Sequence, residues 1–229
     1  MKRIFTLVMS LFVMLLSAGA QAYTQSRYYN ESTGHLDYIH HHSDNIIGTG
    51  DLYYGLRLGP SFSTVNSDDK ALDGGSSQTG LNIGAVIGLG LSPETPIFLE
   101  SGIYYIEKGG KSTYEGKKMT YDLNYIEIPI LVKYIIDIDG DFSVQPFLGG
   151  YLSCGVGGKI KNYGDRIAES SFSKRYFQRF DGGLRFGCGF AYDMFYADLS
   201  YDLGLSNISH DEFDTSRNRC LMLNFGVNF

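Results

Sequence analysis

The chain has 229 residues, a formal net charge of -6, 14% aromatic residues and 29 glycines, with no tryptophan. The acidic balance argues against a nucleic acid partner, and beyond the N-terminal segment no apolar run is long enough to cross a bilayer as a helix. Abundant Tyr, Phe and Gly favour strands joined by bends, while Cys154, Cys188 and Cys220, an odd set without metal-type spacing, read as unpaired wall residues.

The first residues, MKRIFTLVMSLFVMLLSAGAQA, place Lys2 and Arg3 before an apolar run and end on Ala20-Gln21-Ala22. A charged start, a short apolar middle and small residues at the end predict a cleavable signal peptide over 1–22. Residues 23–49 follow as a leader carrying HLDYIHHHSD. His35, His40, His41 and His42, with Asp37 and Asp44, are ligand types that suit zinc or copper. Adjacent residues of an extended chain point to opposite sides, however. A flexible periplasmic leader is therefore expected rather than a metal site, and no cofactor is anticipated.

From residue 50 to 229 an alternation of period two recurs eight times. Its more apolar sets run through Leu52, Tyr54, Leu56, Leu58 and Phe62; Leu81, Ile83, Ala85, Ile87, Leu89 and Leu91; Ile97, Leu99, Ile103 and Tyr105; and Ile126, Ile128, Ile130, Val132 and Tyr134. The pattern continues through Phe142, Val144, Leu148, Leu152, Cys154 and Val156, then Leu184, Phe186, Cys188, Phe190 and Tyr192. It ends with Phe195, Ala197, Leu199, Tyr201, Leu203 and Leu205 and, last, Leu221, Leu223, Phe225, Val227 and Phe229. Links after the second, fourth and sixth segments are tight (SPET, IDIDGD, YDM). Those after the first, third, fifth and seventh are longer and polar, over residues 66–78, 109–118, 159–178 and 209–218. An even strand number with short turns at one end and long loops at the other predicts an all-β, eight-stranded, antiparallel up-and-down transmembrane β-barrel.

Charge decides which face looks inward. Arg57, Glu100, Glu127, Lys133, Arg185, Asp198 and Asp202 all fall on the less apolar faces, together with most of the strand glycines. Glycine on a water-facing strand loses stability without a packing return, whereas an eight-stranded interior is so narrow that glycines make room for bulky neighbours. The apolar faces are therefore assigned to lipid and the charges to the lumen. Buried charges need partners, so these seven residues are expected to form a salt-bridged plug rather than a pore. Pro129, which removes a ladder donor inside the fourth segment, is read as structural.

The segments LNYIEIPILVKY, PFLGGYLSCGVGGK and LRFGCGFAYDMFYADLSYDLGLSNIS, with the closing NFGVNF, resemble the PorT-like, porin-family outer-membrane β-barrel domain of Gram-negative bacteria. The resemblance runs from about Gly50 to Phe229. It implies residence in the bacterial outer membrane, contact with outer-membrane lipid and lipopolysaccharide, and insertion by the outer-membrane assembly machinery. For that machinery Leu223, Phe225, Val227 and Phe229 look like the C-terminal recognition strand. Barrels of this size serve several roles, so the resemblance does not define an activity.

The longest loop carries Lys159, Lys161, Arg166, Lys174 and Arg175, a basic surface on an acidic chain that suits an anionic external ligand such as lipopolysaccharide or a surface glycan. In the last loop His210 stands beside Ser209 and Asp211 without the spacing of a nucleophile pair, so no enzymatic role is expected. A small passive pore and an accessory to protein export are the alternative readings.

Overall fold

The computed structural model describes residues 28–30, 35–37, 52–68, 72, 76–92, 95–114, 116–139, 142–161, 167–210 and 213–229. Eight long strands make up most of them: β1 (Leu52–Ser67), β2 (Ser76–Ser92), β3 (Thr95–Tyr114), β4 (Lys117–Tyr134), β5 (Phe142–Gly157), β6 (Phe180–Tyr192), β7 (Phe195–Gly204) and β8 (Ser216–Asn228). Each pairs antiparallel with the next in the chain. β8 then pairs with β1, Leu221 opposite Phe62 and Val227 opposite Leu56. This pairing closes the sheet, and closure satisfies the backbone groups that an open edge would leave in hydrocarbon. The protein is an all-β, eight-stranded antiparallel barrel.

The alternation in sequence becomes an alternation in space. On β4, Ile128, Ile130 and Val132 are half exposed, while Glu127, Leu131 and Lys133, at the alternate positions, are buried. On β1, Tyr54 and Phe62 look out and Arg57, Ser61 and Ser63 look in. An apolar belt around a charged interior inverts the soluble pattern and fits a wall in contact with lipid. The inward glycines act as berths for rings. A Cβ on Gly88 would stand 2.1 Å from the Tyr53 ring, and one on Gly84 would stand 2.4 Å from that of Tyr104.

β6 turns into β7 through Asp193 at φ 52, and β2 ends two residues before β3 begins, Ser92 lying opposite Thr95. Between β4 and β5 the stretch Ile136–Asp139 continues the pairing against β5, Ile136 opposite Val144. Pro129 interrupts the β3–β4 ladder without shifting it. Partners run from Ser101 opposite Ile130 to Tyr104 opposite Glu127, and the Ser101 hydroxyl donates to the Pro129 carbonyl at 2.8 Å.

At the opposite end the structure departs from expectation. The anticipated loop over 109–118 is mostly strand, because β3 runs to Tyr114 and β4 starts at Lys117. Beyond the apolar belt both faces of a strand turn polar, so the period fades while the ladder continues. The described residues of the 159–178 loop pair and pack as well. Lys159–Lys161 pairs with Glu169–Ser170 and extends β4, Ile160 lying opposite Tyr121. Separately, Tyr28–Asn30 and His35–Asp37 form a small antiparallel hairpin, Tyr29 opposite Leu36. The expected signal peptide and His40, His41 and His42 lie outside the described residues, as does Arg166.

Candidate functional site

The lumen holds four cations, Arg57, Lys108, Lys133 and Arg185, and five carboxylates, Glu100, Glu127, Asp181, Asp198 and Asp202, none more than 5% exposed. They separate into two groups along the barrel. In the group nearer the long loops, Lys108 Nζ lies 2.7 Å from Glu127 Oε2 and 2.9 Å from Asp202 Oδ2. Arg185 grips Asp202 with both arms of its fork, Nε to Oδ1 at 2.7 Å and Nη2 to Oδ2 at 2.9 Å, and its Nη2 also donates to Glu127. Asp181 Oδ2 accepts from Asn218 Nδ2 at 2.9 Å and from the Tyr151 hydroxyl at 3.4 Å, with Lys108 at 3.8 Å. A planar guanidinium on two carboxylate oxygens is a strong, orientation-specific pairing.

In the group nearer the short turns, Glu100 Oε2 is the hub. It accepts from Lys133 Nζ at 2.7 Å and from the Tyr53 hydroxyl at 2.6 Å, and Arg57 Nη2 stands 3.8 Å away. Lys133 also donates to the Tyr196 hydroxyl at 3.1 Å. The Arg57 guanidinium lies 3.8 Å above the Tyr196 ring and donates to Asn228 Oδ1 at 2.7 Å. Asp198 Oδ1 accepts from Asn224 Nδ2 at 2.8 Å. Between the two groups Val86, Tyr104, Ile106, Cys220 and Met222 form an apolar layer. Desolvated charges are costly unless paired and hydrogen-bonded, and here the strands bring opposite charges together at the required distances.

Above the upper group sits an aromatic cap. The segment after Ser170 turns into the barrel mouth, burying Phe172, Tyr176 and Phe177 against Met119, Tyr121, Leu123 and Tyr125 of β4 and against Ile208 and Phe213. Phe172 meets Tyr125 edge-on at 5.5 Å, and Phe177 meets Phe213 at 5.5 Å. Backbone bonds from Gln178 to Ile208 (2.7 Å) and from His210 to Tyr176 (2.8 Å) tie the cap to the last loop. Each buried ring stabilises this closure by about 1.5–3 kcal/mol.

All seven charges named from the sequence point into the lumen, and the structure adds Lys108 and Asp181 to them. Both continue the inward parity of their strands, Lys108 after Tyr104 and Ile106, Asp181 before Gly183 and Arg185. Their signal was the alternation itself, carried past the apolar belt. Lys159, Lys161, Lys174 and Arg175 are exposed at the loop end, Lys161 within 3.3 Å of Asp122. Leu223, Phe225 and Val227 lie on the outward side of β8, Phe225 the most exposed, and Phe229 follows that strand. His35 lies in the small hairpin. Ser209 is buried, its Oγ 2.7 Å from Asn207 Oδ1 and 2.6 Å from the Asp214 carbonyl. The three cysteines are free thiols, Cys220 inward and Cys154 outward.

A closed eight-stranded cylinder with an apolar belt, a charged interior and long loops at one end defines an outer-membrane β-barrel protein. The family model described as "Outer membrane protein beta-barrel domain" matches residues 21–210, and the chain belongs to that family of the bacterial outer membrane. Among curated proteins none matches the sequence. Solved structures with a similar fold include Neisserial surface protein A, at 16% identity and TM-score 0.44 over 76% of this chain and 95% of that one. OprG from Pseudomonas aeruginosa is similar at 14% identity and TM-score 0.45 over 80% and 98% of the two chains. A major outer membrane protein from Thermus thermophilus is similar at 14% identity and TM-score 0.49 over 78% and 100%.

Proposed function

We propose that this protein is a non-enzymatic, non-conducting barrel that acts through its outer end, as a wall element of the envelope and a surface for external contact. The observation that carries this reading is the interior: nine charged side chains at 5% exposure or less, interlocked beneath an aromatic cap. A path for ions needs polar groups reached by water, and here those groups are occupied by one another. The exposed Lys159, Lys161, Lys174 and Arg175 support an anionic external partner, lipopolysaccharide or a surface glycan. The Tyr125-Ile126-Glu127-Ile128-Pro129 strand and the closing Asn224–Phe229 run support a PorT-like kinship within the family.

Conductance of the refolded, heat-modifiable barrel in a planar lipid bilayer tests the closed lumen. A silent membrane is expected. Stable ion-selective steps would overturn the proposal and return the chain to the passive pores. Deletion of the protein in its own cell is expected to leave secreted proteins in their normal place, and their retention in the periplasm would favour an export accessory instead.

A further inference from the structure

The lipid-facing wall is not smooth. On β5 and β6 two outward positions are glycine, Gly150 and Gly182, and a groove of about 370 Å³ opens over them. Its sides are Ile128, Ile130, Leu152, Phe180 and Leu205, each half exposed. That volume lies within the range of small-molecule sites, and the lining is almost wholly apolar. A Cβ on Gly150 would meet nothing closer than the Gly183 carbonyl at 3.5 Å, so the missing side chain leaves open space rather than relieving a clash.

The groove lies at the long-loop end of the belt, where β6 begins and β7 ends, which is the level of the outer leaflet. Directly beside it β8 turns two arginines outward. Arg217 and Arg219 share the face of Leu221, two residues apart, which sets their Cα atoms about 7 Å from each other along the strand. Arg217 Nε donates to the carbonyl of Leu205, the residue that forms one side of the groove. Among the described residues neither arginine forms an ion pair. An apolar slot in the hydrocarbon, headed by two available guanidinium groups at the polar boundary, matches a lipid with an acyl chain below and phosphate above.

We infer that this groove is a binding site for the phosphorylated, acylated end of lipopolysaccharide, one acyl chain lying over Gly150 and Gly182 and a phosphate held by Arg217 and Arg219. The site is on the lipid side of the wall, so its occupancy is independent of whether the lumen conducts. It is also separate from the loop cations, which are untouched by the variants below.

The test is native mass spectrometry of the detergent-purified barrel after incubation with purified bisphosphorylated lipopolysaccharide or, in parallel, with phosphatidylglycerol. Gly150→Leu fills the groove, and the double variant Arg217→Gln/Arg219→Gln removes the phosphate contacts. Heat-modifiable migration confirms that each is folded, and the arginine variant keeps the test open if Gly150→Leu fails to fold. One retained lipopolysaccharide per barrel is expected, falling about tenfold in either variant. Unchanged retention in the arginine variant, equal retention of phosphatidylglycerol, or a dimer of barrels that Gly150→Leu abolishes would each overturn the assignment. A loss of external anion binding on Lys174→Gln/Arg175→Gln, with lipid retention intact, would concern the loop proposal alone.

Discussion

Lys108 of β3 and Glu127 of β4 meet at 2.7 Å deep in the lumen, although the ladder sets Lys108 opposite Leu123 and Glu127 opposite Tyr104. The lysine stem therefore slants along the barrel axis to reach a carboxylate four residues from its own partner. Because Glu127 also takes the Arg185 guanidinium, and Asp202 takes both cations, the four residues form one ring of charge.

Removing one member of that ring is expected to be costly. Lys108→Met leaves Arg185 alone among Glu127, Asp181 and Asp202, and an uncompensated buried charge costs about 3–5 kcal/mol. Urea unfolding of the refolded barrel should show a loss of that size. Lys111→Met, an exposed position on the same strand, should stay within about 0.5 kcal/mol. Equal effects at the two positions would mean that the lumen is solvated.

The glycines should separate by face. Gly88→Ala drives a methyl group into the Tyr53 ring, which must then leave Glu100. Overpacking of this kind costs about 1–3 kcal/mol. Gly150→Ala meets only an ordinary contact and should change stability by less than about 0.5 kcal/mol. Unfolding midpoints of the two variants, compared in one lipid, decide the matter.

The cap should open without opening the barrel. Phe177→Ala removes a buried ring at a cost of about 3–5 kcal/mol, and the loss should appear locally. Hydrogen exchange is expected to speed up at the Gln178 and His210 amides, which the cap holds, while amides in the middle of β7 and β8 stay protected. The variant should remain electrically silent because the ion-paired groups below it are intact. Current through it would show that the rings are the seal.

The cysteines report orientation. Cys154 stands on the outward face of β5 between Leu152 and Val156, whereas Cys220 is buried inside. An apolar maleimide should label Cys154 in the folded protein and Cys220 only after unfolding. Labelling of Cys220 at a comparable rate would contradict a packed lumen.

Much of this architecture was legible before the structure. Period-two alternation marks a strand wherever one face meets lipid and the other a polar lumen, as from Ile126 to Tyr134. It failed from Gly109 to Lys118, where both faces are polar because the strands have left the membrane. Lys108 was lost with that boundary, and Asp181 at the corresponding start of β6. The cap was hidden for a different reason. Between Glu169 and Gln178 the charges Lys174 and Arg175 made the segment look like a solvated loop, while Phe172, Tyr176 and Phe177 follow no strand period.

The sequence by itself determined the strand number, the face that residues take within the apolar belt and the presence of both signs of charge inside it, because each depends only on neighbours along one strand. The tertiary structure alone decided which charges pair, that three rings close the mouth, and that Gly150 and Gly182 line up beside Arg217. Those relationships join residues on different strands, and their distances depend on the stagger with which the sheet closes, which no single strand encodes.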